Sequence, residues 1–246
     1  MIAVILAAGF GTRCRPLTNN KPKSLLPLGD GTVIDAQLHW LFACKDIAKI
    51  VVVSNQKFYD LFVRWREGSV FRNQINIIND GVAHENSRLG AIGDLAFVFE
   101  RCPDADDLLV LGSDNLFEDE VTGLVERFKH EKEKFVVVTI HDFRKTLATV
   151  QPNEVSMDTN NTLTYFKEKP KQPATSDFVS LLYVLPKTYF VRVTEYLVEG
   201  NNPDNAGSFI EWLVKNKYQV RGFRMSGRRF DIGDVASYRA TQSHYP

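Results

Sequence analysis

Cysteine is scarce: Cys14, Cys44 and Cys102 are the three in 246 residues. They are odd in number and widely spaced, match no metal-ligand spacing and suit a reducing compartment, so a cytoplasmic location is expected. An excess of either charge is also missing. Thirty basic residues balance thirty acidic ones, and without a strong Lys/Arg cluster no nucleic-acid partner is expected. The short basic stretch from Arg221 to Arg229 reads as a solvated face. Long apolar runs are absent too. The opening run Met1–Gly9 has no charged segment ahead of it and is too short to span a bilayer, so it reads as a buried strand and no membrane partner is expected. There is no internal repeat, low-complexity tract or long linker. What remains is 44% hydrophobic and 24% charged, enough apolar material for a full core, and α/β chains of this length often form one domain.

Short β-branched runs at Ile2–Leu6, Lys49–Val53, Ile75–Ile78, Asp107–Leu111 and Phe135–Ile140 alternate with helical spacing over Val33–Cys44, Phe58–Arg66, Leu89–Glu100 and Glu118–Lys132. That alternation calls for a mainly parallel sheet with helices on both faces and right-handed crossovers. From Leu147 the rhythm changes. Short strands at Leu147–Gln151, Leu163–Lys167 and Phe178–Leu185 are broken by turn signals such as Pro152-Asn153 and Asn160-Asn161, and helices follow at Tyr189–Glu199 and Phe209–Asn216. The expected fold is α/β, a Rossmann-like three-layer sandwich with a mostly parallel, mixed sheet, in a single domain over 1–246.

The run from Leu6 to Leu28 carries most of the chemistry. A strand ends in Ala7-Ala8, then Gly9 and Gly11 let the backbone approach a ligand and turn successive N–H groups on phosphate oxygens. Arg13 and Lys23 add the side-chain cations that a triphosphate, with about three to four negative charges, requires. Pro16, Pro22 and Pro27 stiffen a loop that would otherwise be costly to order. A dinucleotide fingerprint would want a third small residue where Cys14 stands. A Walker-type loop would close on Gly-Lys-Ser/Thr, which is absent. A plain glycine turn leaves Arg13, Lys23 and three prolines unexplained.

With Gly9, Gly11-Thr12-Arg13, Pro16-Leu17-Thr18, Pro22-Lys23 and Leu25-Leu26-Pro27 in this order, the segment resembles the signature of the sugar-phosphate nucleotidylyltransferases. The resemblance implies the nucleotide-diphospho-sugar transferase type of fold, with a nucleotide-binding half over 1–140 and an acceptor-binding half over 141–246. It implies Leu6, Ala7, Ala8, Gly9, Gly11, Thr12 and Gly90 at the nucleotide, and Arg13 and Lys23 as catalytic cations. Asp114 at a strand's carboxyl end and Asp231 in a late Asp-x-Gly element would hold Mg²⁺; taken singly, either could equally be a turn or cap residue. Glu168 and Lys169, in Phe166-Lys167-Glu168-Lys169-Pro170, would meet the acceptor's hydroxyls and phosphate. Gly90 would let the base lie against a helix start. Asn86 and Arg88 are further candidates there, while His84 reads as a surface residue.

Several positions depart from the family pattern: Ser113 before the metal aspartate, Ala148, and Ser180-Leu181-Leu182-Tyr183 where a central glycine is usual. They point to a different sugar or a non-hexose acceptor. No Gln-containing base stretch is found, which leaves the base open. The chain stops soon after Asp231, so no β-helical or acyltransferase extension is expected. The implied reaction joins an NTP to a sugar 1-phosphate and releases pyrophosphate. A cytidylyltransferase acting on a phospho-alcohol and a non-catalytic nucleotide-sugar sensor stay open as alternatives. Many relatives self-associate, so a homo-oligomer is compatible with the resemblance.

Overall fold

A computed structural model describes residues 1–131, 133–147 and 152–245. Its centre is a seven-stranded sheet: β1 Ile2–Leu6, β2 Lys49–Ser54, β3 Ile75–Asn79, β4 Leu108–Gly112, β5 Val136–Asp142, β6 Asp177–Leu185 and β7 Val220–Arg224. The spatial order is β7-β5-β6-β4-β1-β2-β3. Every pairing is parallel except those of β6, which runs antiparallel to β4 and β5.

The strands alternate their side chains between two cores, as a period of two dictates. On one face Ala3 and Ile5 pack with Ile34, Leu38 and Leu41 of α1 (Val33–Phe42), Phe62 of α2 (Tyr59–Gly68) and Leu124, Val125 and Phe128 of α4 (Thr122–His130). On the other, Val4 and Leu6 pack with Ile92, Leu95 and Val98 of α3 (Gly90–Arg101), Val193 and Tyr196 of α5 (Phe190–Val198), and Phe209, Ile210 and Leu213 of α6 (Ala206–Lys215). The expected three layers and mixed, mostly parallel sheet are therefore present.

Three features depart from the sequence reading. The stretch read as a solvated basic face contains an edge strand, β7, and ends in Arg229, which is only 6% exposed. Its neighbours Asp231 and Asn115 supply the compensating polar groups that allow a guanidinium inside. The helix expected from Glu118 begins at Thr122, because Asn115–Phe117 forms a strand first. A C-terminal helix, α7 (Val235–His244), follows Asp231 and is started by an Asp234/Ser237 capping box. Of the strand expected over Leu147–Gln151, Thr146–Leu147 pairs in a small sheet. Residues 148–151, including Ala148, lie outside those described.

The site is positioned by coterminous strands. Leu6 is in register with Val53 of β2 and Gly112 of β4, so three carboxyl ends open onto one crevice, where ligands bind in open α/β sheets.

Candidate active site

The loop after β1 is shaped by its own residues. Gly11 sits at φ +63°, and a methyl group there would press on Thr18 at 3.1 Å. Thr18 closes the turn by donating to the Gly11 carbonyl at 2.7 Å. Asn55, at the end of β2, donates to the Ala8 carbonyl at 2.7 Å and fixes the loop's entry. Pro22 leads into a single helical turn, Lys23–Leu25, from which Lys23 Nζ donates to Asp114 Oδ2 at 2.5 Å. Thus Lys23 and Asp114, 91 residues apart, meet. Arg13 is exposed at the mouth of the crevice.

Asp114 and Asp231 are joined by a small antiparallel ladder in which Asn115 lies opposite Asp231 and Phe117 opposite Arg229. The Ile232 N–H donates to the Asp114 carbonyl at 2.9 Å, closing the ladder behind the two acids. Gln37 of α1 clamps the Asp114 turn from below, donating to the carbonyls of Gly112 and Asn115 at 2.9 and 2.8 Å. Arg229 reaches Asn115 Oδ1 at 2.7 Å and Asp231 at 3.1 Å. Burial opposes ionisation of Asp114, but Lys23, with help from Arg229, holds its carboxyl below the usual carboxylate range. Asp231 is pushed the other way, by burial first and then by Asp114, against the pull of Arg229. Sequence reasoning missed Gln37 and Arg229; neither falls in a motif, and only the ladder register shows what they hold.

The crevice has two lobes, with cavities of about 580 and 320 Å³, that share Arg13, Asp114, Lys169 and Leu181 at their seam. The larger is bounded by Leu6–Thr12 on one side and by the start of α3 on the other. The residues expected at the nucleotide, Leu6, Ala7, Ala8, Gly9, Gly11, Thr12 and Gly90, all border it. Gly90 has a further cause: at φ +80° it lies against Pro203 and Asp204, whose backbone a methyl group would overlap. Its missing side chain therefore serves chain packing first. Arg88 is fixed by a two-pronged ion pair to Asp204 at 2.8 and 2.7 Å. His84 and Asn86 are exposed, as expected for the histidine.

The smaller lobe holds Glu168 and Lys169 beside Asp231 and Arg229. Glu168 Oε1 accepts from Asn205 Nδ2 at 2.9 Å, while Oε2 is buried without a protein partner. A side chain at Gly207 would collide with that carboxylate. Lys169 adopts a left-handed backbone, φ +45°, a conformation that costs a residue with a side chain about 1–3 kcal/mol. Leu181 and Tyr183 line the lobe, and Ser180 bonds at 2.9 Å to both Thr139 and His141 behind it. His141 is held neutral, its pKa lowered to about 3 by burial and then by Arg229. The bulky residues in place of a central glycine thus line the smaller lobe.

A model of the nucleotidyl transferase family matches residues 2–246. The chain belongs to the nucleotidyl transferase family. Among its relatives, a UTP–glucose-1-phosphate uridylyltransferase from Synechocystis is 28% identical over 97% of this chain and 61% of its own length. A mannose-1-phosphate guanyltransferase from Schizosaccharomyces pombe is 27% identical over 97% of this chain and 62% of its own length. The chain thus spans about three-fifths of each. A solved structure of UDP-glucose pyrophosphorylase complexed with UDP-glucose superposes with a TM-score of 0.81 at 17% identity, covering 99% of this chain and 97% of that one. At that identity the likeness shows the fold, the Rossmann-like fold of nucleotidyl transferases.

Proposed function

We propose that this chain is a nucleotidylyltransferase that joins an NTP to a sugar 1-phosphate, giving an NDP-sugar and pyrophosphate. The observation that carries it is the convergence on Asp114, at the seam of the two lobes, of Lys23 from the larger lobe and Asp231 from the smaller. Both relatives named above transfer a nucleotidyl group to a sugar 1-phosphate by name.

The donor set fits Mg²⁺. Asp114 and Asp231 are oxygen ligands that repel one another, and no third metal-binding side chain joins them among the described residues. Two carboxylates with positions left for water and substrate phosphate is the arrangement Mg²⁺ prefers. When bound, Mg²⁺ supplies charge neutralisation at the phosphates. The protein's own groups do the rest. The Gly9–Thr12 backbone cradles the triphosphate, Arg13 and Lys23 offset charge on the α-phosphate and the leaving pyrophosphate, and Lys169 and Glu168 hold the acceptor. The acceptor's phosphate oxygen is already anionic, so no protein nucleophile is needed, and alignment with charge stabilisation carries the in-line displacement.

The three cysteines are free, in keeping with a reducing, cytoplasmic setting, and no described helix is long and apolar enough to cross a membrane. Pyrophosphate release would be measured with Mg²⁺ over five NTPs against sugar 1-phosphates and phospho-alcohols. Release with a sugar 1-phosphate supports the proposal; release only with a phospho-alcohol replaces the acceptor class.

A further inference from the structure

The two ends of the larger lobe differ in charge. Arg13 and Lys23 stand at the loop end with Asp114, whereas Asp80, Glu85, Asp94 and Asp204 line the rest of the lobe with Arg88 as their one cation from that side. Arg88 is already committed to Asp204 and Glu85. A triphosphate is therefore drawn to the loop, which leaves the acidic end for the base.

Within that end, two carboxyls meet. Asp80 follows the last residue of β3, and its Oδ1 accepts the Val82 N–H at 2.7 Å. Asp94 lies four residues beyond Gly90, at the start of α3, and is 6% exposed while still bordering the cavity. Its carboxyl lies close enough to that of Asp80 for each to shift the other's ionisation, and its Oδ1 is buried with no hydrogen-bond partner in the protein. Burial, then the neighbouring charges of Asp80 and Asp204, raises Asp94 to about 8, so at neutral pH the pair carries one proton. Both residues line the cavity, so the pair places carboxyl oxygen and one negative charge at this end of it.

We propose that Asp80 and Asp94 read the nucleotide base, and that they select a base with an exocyclic amino group over uracil and thymine. This rests on the reading that the cleft takes an NTP. An amino group on cytosine, guanine or adenine offers N–H donors to the unpartnered carboxyl. Uracil and thymine turn carbonyl lone pairs outward on both sides of their single N3–H, so approach to the pair sets oxygen against an anionic oxygen. A buried acceptor left without a donor is what makes such discrimination steep.

The test is calorimetric binding of ATP, CTP, GTP, UTP and dTTP with Mg²⁺ to the whole chain, wild type and two variants. The tightest binder should be one of ATP, CTP and GTP, with UTP and dTTP at least about tenfold weaker. Asp94→Asn keeps a donor toward Asp80 and an acceptor oxygen, so the ratio should survive within about threefold; Asp94→Ala removes both and should bring it close to one. UTP or dTTP binding as tightly as the best of the others overturns the inference while leaving the nucleotidylyltransferase reading standing. Unchanged ratios in Asp94→Ala overturn the assignment to Asp94. No binding of any of the five overturns the nucleotide reading and this inference with it.

Discussion

Lys23 is asked to do two things: neutralise Asp114 in the resting protein and offset charge at the phosphates during reaction. The variant Lys23→Ala separates them. The first role is modest. A hydrogen bond to a charged group is worth about 1.5–3 kcal/mol, and here the side chains are 14% and 28% exposed, so solvent screening brings the expected loss to about 1–2 kcal/mol. The second is larger, since removing one transition-state donor costs a factor of about 10²–10³ in turnover. Urea unfolding and steady-state pyrophosphate release on the same preparation give both numbers. The stability gap also has a sign in pH. Asp114 is held below the usual carboxylate range, so its stabilising interaction is fully present above that range and fades as pH falls through the depressed value. Wild type and variant should therefore differ most near pH 7 and converge in acid. If Lys23 served only to neutralise Asp114, raised Mg²⁺ would replace it and turnover would recover. Near-normal turnover, or recovery at high Mg²⁺, would refute the role assigned to Lys23.

Other consequences follow from the same geometry. Arg229→Met leaves Asp231 buried without its cation and should cost about 3–5 kcal/mol in urea unfolding, with loss of turnover. Gly90→Ala forces a side chain into the Pro203–Asp204 backbone at a left-handed φ and should lower stability by more than about 1 kcal/mol, read as a shifted urea midpoint. Glu168→Gln should raise KM for the acceptor about tenfold with little change in NTP affinity, since Glu168 lies in the smaller lobe alone. Asp94 holds its proton to about pH 8 when folded, against an ordinary value of 3.8. Its contribution to stability is therefore lost as pH rises between those values, by at most about 1.4 kcal/mol per unit, and Asp94→Asn should flatten that part of a stability–pH curve.

Much of this was legible in the order of residues. The strand–helix alternation to Ile140 named the layers, and the loop from Leu6 to Leu28 named one wall of the crevice. Glu168 and Lys169 were legible as a short charged element and do stand together in the smaller lobe. The stretch Arg221–Arg229 is solvated at Arg224 and Arg228 but not at Arg229, for a physical cause: a basic run looks solvated in sequence, and only the ladder that sets Arg229 opposite Phe117 supplies the partners that let it be buried. Gln37 is hidden likewise, a polar residue on an apolar helix whose amide N–H groups donate to two carbonyls from β4 and its turn. Asp80 and Asp94 flank the residues expected near the base, Asn86 to Gly90, but the thirteen residues between them gave no sign that the two carboxyls lie side by side.

The central claim, condensation at the seam of the two lobes, is tested most directly by quantifying pyrophosphate and sugar nucleotide together in one reaction with Mg²⁺, an NTP and a sugar 1-phosphate. The account predicts equal amounts of both products, over many turnovers, and loss of both in Asp114→Asn. Stoichiometric nucleotide binding with neither product, across all five NTPs and the sugar 1-phosphates, would contradict it and favour a nucleotide-sensing module on the same fold.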